Sequence, residues 1–464
     1  MQVQDNSILF EKLRQKHPEF VYENYFINYK GNDLYVEYLF TMAGNIEFRP
    51  TFYIPAVKYF RPEDIPEPTL RNLIFHIGMV ELISYWKTAC PPNVVIKPHK
   101  LNESQIEWWK NMYYKGMGEF FFMNNIKVDY EDFLNISNHK NGNDKLSLSD
   151  MSLSDGIIIP VGGGKDSVVT LELLKNKGVY TLPMVVNHRH ATRQTIECAG
   201  YDLSNVIEVK RKLDEKMLEL NSKGYLNGHT PFSALLAFIS LLTAIGAKTK
   251  NIALSNESSA NESTIPGTEI NHQYSKSYAF EKDFKDYVAN YICHEIDYFS
   301  FLRPLNELQI AGLFAGYEEY HKVFKSCNAG SKSDIWCCRC PKCLFVFIII
   351  SPFLDPERMI DVFGENLFGN NELKKYFDEL TGISEFKPFE CVGTVDEVNI
   401  ALCMTIKKYY YDTEKPALLK YYMETSKYKD YCDYEHNLLN TFSVNHFVPE
   451  SFLRILEREV RGEL

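Results

Sequence analysis

The stretch IIIPVGGGKDSVVTLELL, residues 157–174, closes an apolar run with three glycines and follows them with Lys165, Asp166 and Ser167. Gly162, Gly163 and Gly164 let backbone N–H groups approach an anion and adopt φ > 0 at little cost. The periodic segment after them predicts a helix whose positive dipole end faces the same anion. Lys165 can neutralise phosphate charge, Asp166 can hold Mg²⁺ or its water shell, and Ser167 can donate to a phosphate oxygen. Glycines alone would serve a tight strand-to-helix turn equally well; three polar groups crowded on one helix start point to phosphate. The spacing is neither Gly-x4-Gly-Lys-Ser/Thr nor Gly-x-Gly-x-x-Gly.

A second group is SCNAGSKSDIWCCRCPKC, residues 326–343, with Cys327, Cys337, Cys338, Cys340 and Cys343. Thiolates at such short spacing can wrap a tetrahedral Zn²⁺. Four ligands suffice, so one cysteine is surplus, and spacing alone leaves Cys337 and Cys338 interchangeable. A third group is the polar stretch SNESSANESTIPGTEINHQYSKSYAFEKDF, residues 255–284. It follows a strand-like segment directly, so it should border whatever the glycine turn holds. Its candidates are Asn256, Glu257, Asn261, Glu262, Asn271, His272, Gln273, Tyr274, Ser275 and Lys276. A merely solvated loop would look similar, but loops of this length in compact domains are usually functional or disordered.

These groups need a frame. From 156 to about 320, strand-like segments (156–161, 180–187, 205–209, 250–255, 296–301) alternate with helical patterns, notably 166–177, 231–247 and 304–320. That alternation predicts an α/β fold: a central parallel sheet with helices on both faces, ligands at the carboxyl ends of its strands. Residues 1–137 read as an α+β domain, with antiparallel strands and helices over 71–86 and 102–122. Asn102 or Ser104 would cap the second helix, and Trp108 and Trp109 fit core packing better than a ligand platform. The polar segment 138–155 reads as a linker, 156–350 as the central domain, and 351–464 as a mainly helical region.

Composition narrows the class. A formal net charge of −11 over 464 residues argues against a chain that grips nucleic-acid backbone. The apolar run 234–247 is short of the roughly 20 residues a membrane span needs, so a buried helix and no membrane are expected. The first residues show no apolar signal region, and eleven cysteines then point to a reducing compartment, cytoplasmic, where thiols bind metal more often than they pair.

GGGKDS resembles the pyrophosphate-binding loop of the N-type ATP pyrophosphatases, Ser-Gly-Gly-x-Asp-Ser, with Gly162 in place of the family's Ser. That class cleaves ATP to AMP and pyrophosphate, usually adenylating a carboxylate or carbonyl oxygen. RPLNELQIAGL followed by the cysteine cluster is similar to the layout of the 7-cyano-7-deazaguanine synthases. By that analogy Cys327, Cys337, Cys340 and Cys343 are the metal ligands, and a structural Zn²⁺ is implied. An Fe–S cluster, used by some tRNA-thiolating relatives, is disfavoured by the acidic charge and the lack of a basic tRNA-binding tract.

The full set, PVGGGKDSVVTLELL, SNESSANE, NHQYSKSYAFE, SFLRPLNEL and CPKCLFVF, together with the aromatic-rich N-terminal part, resembles the ATP-dependent UDP-N-acetylmuramoyl-L-alanyl-L-glutamate epimerases of cell-wall synthesis. The resemblance covers nearly the whole chain, strongest over 156–350 and weakest after 390. It implies ATP and Mg²⁺, a UDP-sugar dipeptide substrate, and inversion of its terminal L-Glu to D-Glu through an acyl-adenylate. The site residues then implied are Lys165, Asp166, Glu257, His272 and Lys276 for catalysis. Residues 162–167, with Asn187 and His188 at the end of the second strand, would bind ATP. Asn256, Asn261, Tyr274 and Arg303 would bind substrate, with Arg303 on a phosphate or carboxylate. A carboxylate-activating ligase of the deazaguanine synthase kind is the alternative.

Overall fold

The run GIIIP is apolar on both faces, as a strand must be when helices cover it front and back. In the computed structural model, which describes residues 4–140, 146–175, 180–265, 267–268, 270–409 and 414–461, it forms the middle of β7 (Ser154–Pro160). Ile157 and Ile159 face one hydrophobic core and Ile158 faces another. Parallel to β7 lie β8 (Thr181–Val186) and β10 (Thr249–Leu254); β9 (Ile207–Lys212) pairs with β8, and β11 (Asp297–Ser300) with β10, all parallel. These are the five segments where alternation predicts strands.

The sheet does not stop there. The N-terminal part contributes β1 (Glu19–Lys30), β2 (Asp33–Met42), β3 (Ile46–Phe48), β4 (Thr51–Ile54), β5 (Asn93–Ile96) and β6 (Asn135–Asn138). β4 pairs antiparallel with β9, Phe52 opposite Arg211, so that one sheet runs β11-β10-β7-β8-β9-β4-β2-β1-β5-β6, with β3 beside β2. β2 shows strict alternation: Leu34, Val36, Tyr38, Phe40 and Met42 are buried against the helix Glu67–Trp86 while their neighbours are half-exposed. That helix packs in turn on the apolar helix Phe232–Gly246, which covers β7 and β10. Trp109 is wholly buried in this layer, and Asn102 closes a capping box with Gln105.

The opposite face of β7 is covered by the helix Lys165–Leu174, on which Glu307–Ala315 packs, followed outward by Pro341–Ile350 and Val395–Lys408. The N-terminal and C-terminal portions thus coat opposite faces of one sheet. The helix over 166–177 is described as Lys165–Leu174, its last two expected residues lying outside the described ones, as do 141–145 of the linker. The helix expected over 304–320 is shorter, Glu307–Ala315, followed by one 3₁₀ turn. Cys403 and Cys432, 29 residues apart, are bonded to each other. The sequence reading expected no such pair, because two helices must fold together before these thiols meet. No helix among the described residues is long and apolar enough to cross a membrane.

Candidate active site

The glycine turn sits at the carboxyl end of β7. Gly163 has φ +85°, and a Cβ there would stand 3.0 Å from the backbone nitrogen of Thr192, so only glycine fits. Gly163 N donates to Ser167 Oγ at 3.2 Å, Ser167 Oγ to Gly164 O at 2.9 Å, and Thr192 Oγ1 to Gly162 O at 3.2 Å. Ser167 is therefore spent inside the turn. Gly162 is exposed, and nothing lies within 4 Å of the place its Cβ would take.

Lys165 does not reach outward. It is 2% exposed, and its Nζ donates to Asp166 Oδ1 and to Glu307 Oε2 at the start of the helix Glu307–Ala315. Burial opposes its charge, but the two carboxylates outweigh burial and hold its pKa above the usual lysine value. Burial also pushes the Glu307 carboxyl up to about 8, against the pull of Lys165. Glu397, which closes a capping box with Thr394, accepts from Glu307 N at 2.8 Å and so locks the C-terminal helices onto this cluster.

The polar stretch after β10 is pinned by one buried guanidinium. Arg303 is wholly buried; its guanidinium donates to Glu257 O at 2.7 Å, to Lys276 O, and to Glu281 Oε2 at 3.1 Å. Its bonds brace the backbone of Glu257 and Lys276. Asn256 Nδ2 donates to Ser300 Oγ at 3.0 Å, Asn261 Oδ1 accepts from Tyr278 N at 2.7 Å, and Tyr274 is 8% exposed. Asn256 and Asn261 tie the loop to β11 and to the helix Tyr278–Tyr291.

His272 and Lys276 converge on groups from distant segments. His272 Nδ1 bonds Glu119 Oε2, and His229 Nδ1 lies 3.3 Å from the same oxygen. Lys276 Nζ lies 3.2 Å from Cys391 Sγ. Burial works against a charge on His272, but Cys391 and Glu119 outweigh it and raise its pKa to about 10. Burial lowers His229 to about 4. Burial would raise the Cys391 thiol, but Lys276 and His272 prevail and bring it down to about 6. The expected residues Lys165, Asp166, Glu257, His272 and Lys276 thus share one polar seam with Glu119, Glu307 and Cys391. Nothing in the sequence marks the last three: each stands alone among apolar or loop residues.

Asn187 and His188 follow β8 at its carboxyl end, on the strand paired in parallel with β7. Asn187, at φ +49°, exchanges hydrogen bonds with the Arg211 backbone, and His188 bonds Glu208. His188 lines a cavity of about 230 Å³ with Pro55, Val57, Arg193 and Glu208, and no residue of the glycine turn lines it.

The cysteine hook lies against the turn. The sulfurs of Cys327, Cys337, Cys340 and Cys343 are all within 4.8 Å of one another, with 3.9 Å between Cys327 and Cys340 and 3.8 Å between Cys337 and Cys343. One ion bound tetrahedrally at ~2.3 Å would place its sulfurs roughly 3.8 Å apart, so the donor set fits a single Zn²⁺. Gly330 N donates to Cys327 Sγ, and Cys343 N to Cys340 Sγ, as N–H groups do around thiolates. Cys338 Sγ turns away to Phe363 O at 3.2 Å. The residues leading into the hook meet the turn: Lys325 N donates to Gly163 O at 2.9 Å, and Ser326 Cβ lies against Gly164. Ser326 Oγ is buried and has no hydrogen-bond partner among the described residues.

Comparison with known proteins gives consistent matches. A family model described as the MurL N-terminal domain matches residues 11–301, running unbroken through 138–155 and the glycine turn; one described as the MurL C-terminal domain matches residues 323–430. The UDP-N-acetyl-alpha-D-muramoyl-L-alanyl-L-glutamate epimerase of Xanthomonas oryzae pv. oryzae is 33% identical over 336 residues, 71% of this chain and 73% of its own. The protein of the same name from a Micromonospora species is 32% identical over 408 residues, 85% and 88% of the two chains. That from Salinispora tropica is 33% identical over 358 residues, 74% and 75%. No solved structure matches. By these matches the chain belongs to the MurL family, and it is an isomerase of the epimerase kind.

Proposed function

We propose that this enzyme converts the terminal L-Glu of UDP-MurNAc-L-Ala-L-Glu to D-Glu in the cytoplasm, with ATP, through an acyl-adenylate, releasing AMP and pyrophosphate. The names of its relatives support the substrate and the inversion. The observation that carries the ATP step is the glycine turn, a backbone cradle at a helix start with Asp166 beside it. A proton alpha to a free carboxylate is hard to remove, because a second negative charge must develop beside the first. Adenylation cancels the first charge and turns the carbonyl into an electron sink, so a base of ordinary strength suffices. Hydrolysis of the inverted acyl-adenylate then returns the carboxylate.

In this reading the backbone of residues 162–164 holds the β- and γ-phosphates while the substrate carboxylate attacks the α-phosphorus. Asp166 is the side chain that would hold Mg²⁺, which when bound would supply charge neutralisation on the phosphates. Lys165 fixes Asp166 and Glu307 relative to the turn. A structural Zn²⁺ on Cys327, Cys337, Cys340 and Cys343 would pin Lys325 and Ser326 against it.

The test is incubation with ATP, Mg²⁺ and UDP-MurNAc-L-Ala-L-Glu in D₂O. D-Glu product carrying deuterium at Cα, with AMP and pyrophosphate, is the expected result. AMP without any change in the glutamate would refute the epimerase reading and favour the carboxylate-activating ligase. Asp166→Ala should lower pyrophosphate release at least ~100-fold, the scale of a lost electrostatic contact to the reacting phosphates.

A further inference from the structure

Cys391 lies in the segment between the helices Lys374–Thr381 and Val395–Lys408, outside the four-sulfur set and outside the disulfide. It is nonetheless held in place. Lys342 Nζ donates to the Cys391 carbonyl, and Asn328 Nδ2 donates to the neighbouring Glu390 at 2.7 Å. Its sulfur faces Lys276 Nζ at 3.2 Å. His272, backed by Glu119, presses on the same thiol, and the fields of Asp166 and Glu257 reach Lys276. The half-buried thiol thus stands between an ammonium and an imidazole, on the polar seam shared with Asp166 and Glu257.

The three groups divide the work by charge. Cys391 and Glu257 keep Lys276 protonated although it is buried, and Cys391 and Glu119 do the same for His272. Neither nitrogen then has a lone pair to offer. The thiolate does, and its two cationic neighbours are what keep it ionised.

We propose that Cys391 is a catalytic residue that exchanges the Cα proton on one face of the activated glutamyl residue. This rests on the acyl-adenylate reading above. The Cys391 thiolate takes the Cα proton: the S–H bond forms as Cα–H breaks, and the electron pair passes into the Cα–C bond and onto the carbonyl oxygen as an enolate. Solvent delivers a proton to the other face and collapses the enolate to the inverted carbon, one proton taken up for the one given to Cys391. The thiol returns its proton to solvent, and no oxidant or reductant is needed.

The test uses the full chain with Cys391→Ala and Cys391→Ser. Acyl-adenylate is trapped as the hydroxamate with hydroxylamine, and Cα deuteration and D-Glu are followed in D₂O. The expected result is hydroxamate formation within about threefold of wild type, with Cα exchange and D-Glu down at least ~100-fold. Exchange within tenfold of wild type in Cys391→Ala overturns the proposal, and so does equal loss of hydroxamate and exchange in folded variants. A wild-type enzyme that epimerises without forming hydroxamate instead overturns the acyl-adenylate reading, while exchange in the variants still decides on Cys391. Should both variants fail to fold, the wild type is alkylated with iodoacetamide and the modified thiol mapped by mass spectrometry. Enzyme modified at Cys391 that makes hydroxamate but does not exchange supports the proposal; modified enzyme that still exchanges overturns it.

Discussion

At the scale of the residue, Lys165 and Gly162 are read together. The sequence resemblance leaves the turn without the hydroxyl that related loops carry at its first position, and Lys165 is the obvious substitute donor. Its ammonium is instead committed to Asp166 and Glu307. Among the described residues, an unpaired hydroxyl beside the turn is Ser326 Oγ, whose Cβ lies against Gly164. If it replaces the missing donor, Ser326→Ala should raise KM for ATP about tenfold, the lower end for a hydrogen bond to a charged group. Pyrophosphate release measured against ATP concentration checks this. Gly162→Ser meets nothing within 4 Å and should restore the KM in the Ser326→Ala background.

At the scale of the element, the cysteine hook is a short irregular segment with one buried aromatic anchor, Trp336 between Phe324 and Phe363, and its four convergent thiols are the remaining means of fixing it. Cys340 starts the helix Pro341–Ile350, and Pro341 at its first position sets φ for the turn. The opposite end of the hook carries Lys325 and Ser326 to the glycine turn. We expect about one equivalent of zinc per chain. Cys327→Ser should lower that towards zero and reduce Tm, whereas Cys338→Ala should keep the full equivalent. Elemental analysis and thermal unfolding of the three proteins distinguish these outcomes; iron in place of zinc would refute the assignment.

At the scale of the whole molecule, the N-terminal layer is fastened to the central one by buried polar groups as well as by the continuous sheet. His76, fully buried in the helix Glu67–Trp86, donates from Nδ1 to Asn72 O at 2.8 Å. Its Nε2 meets Tyr287 OH at 2.9 Å, and that hydroxyl also takes Trp109 Nε1. Burial lowers the His76 pKa from 6.5 to about 4. Below pH 6.5 the unfolded chain therefore takes up a proton that the folded one refuses until about pH 4. Stability falls across that window, by on the order of 3 kcal/mol at its acid end from this group. His229 acts with the same sign. Urea unfolding of wild type and His76→Gln at pH 7, 5.5 and 4.5 separates this contribution from groups of opposite sign such as Glu307: the stability difference between the two proteins should move against wild type by about that amount as pH falls.

What the sequence determined by itself is local. Runs apolar on both faces, glycine turns and short cysteine spacings are contiguous patterns, so the five parallel strands, the turn after β7 and a compact thiol cluster were legible in it. The alternation in residues 34–42 likewise announces a strand with one buried face. Tertiary structure alone decided the rest, because it depends on which distant segments meet. It joined β4 to β9, so that strands from before and after residues 138–155 share one sheet. It turned Cys338 out of the sulfur cluster and buried Arg303 as a strut. It brought Glu119, His272, Lys276 and Cys391, up to 272 positions apart in the chain, to one place. A lone cysteine or glutamate carries no signal of its partners in the residues beside it; its chemistry is set by the charges and the burial that folding supplies.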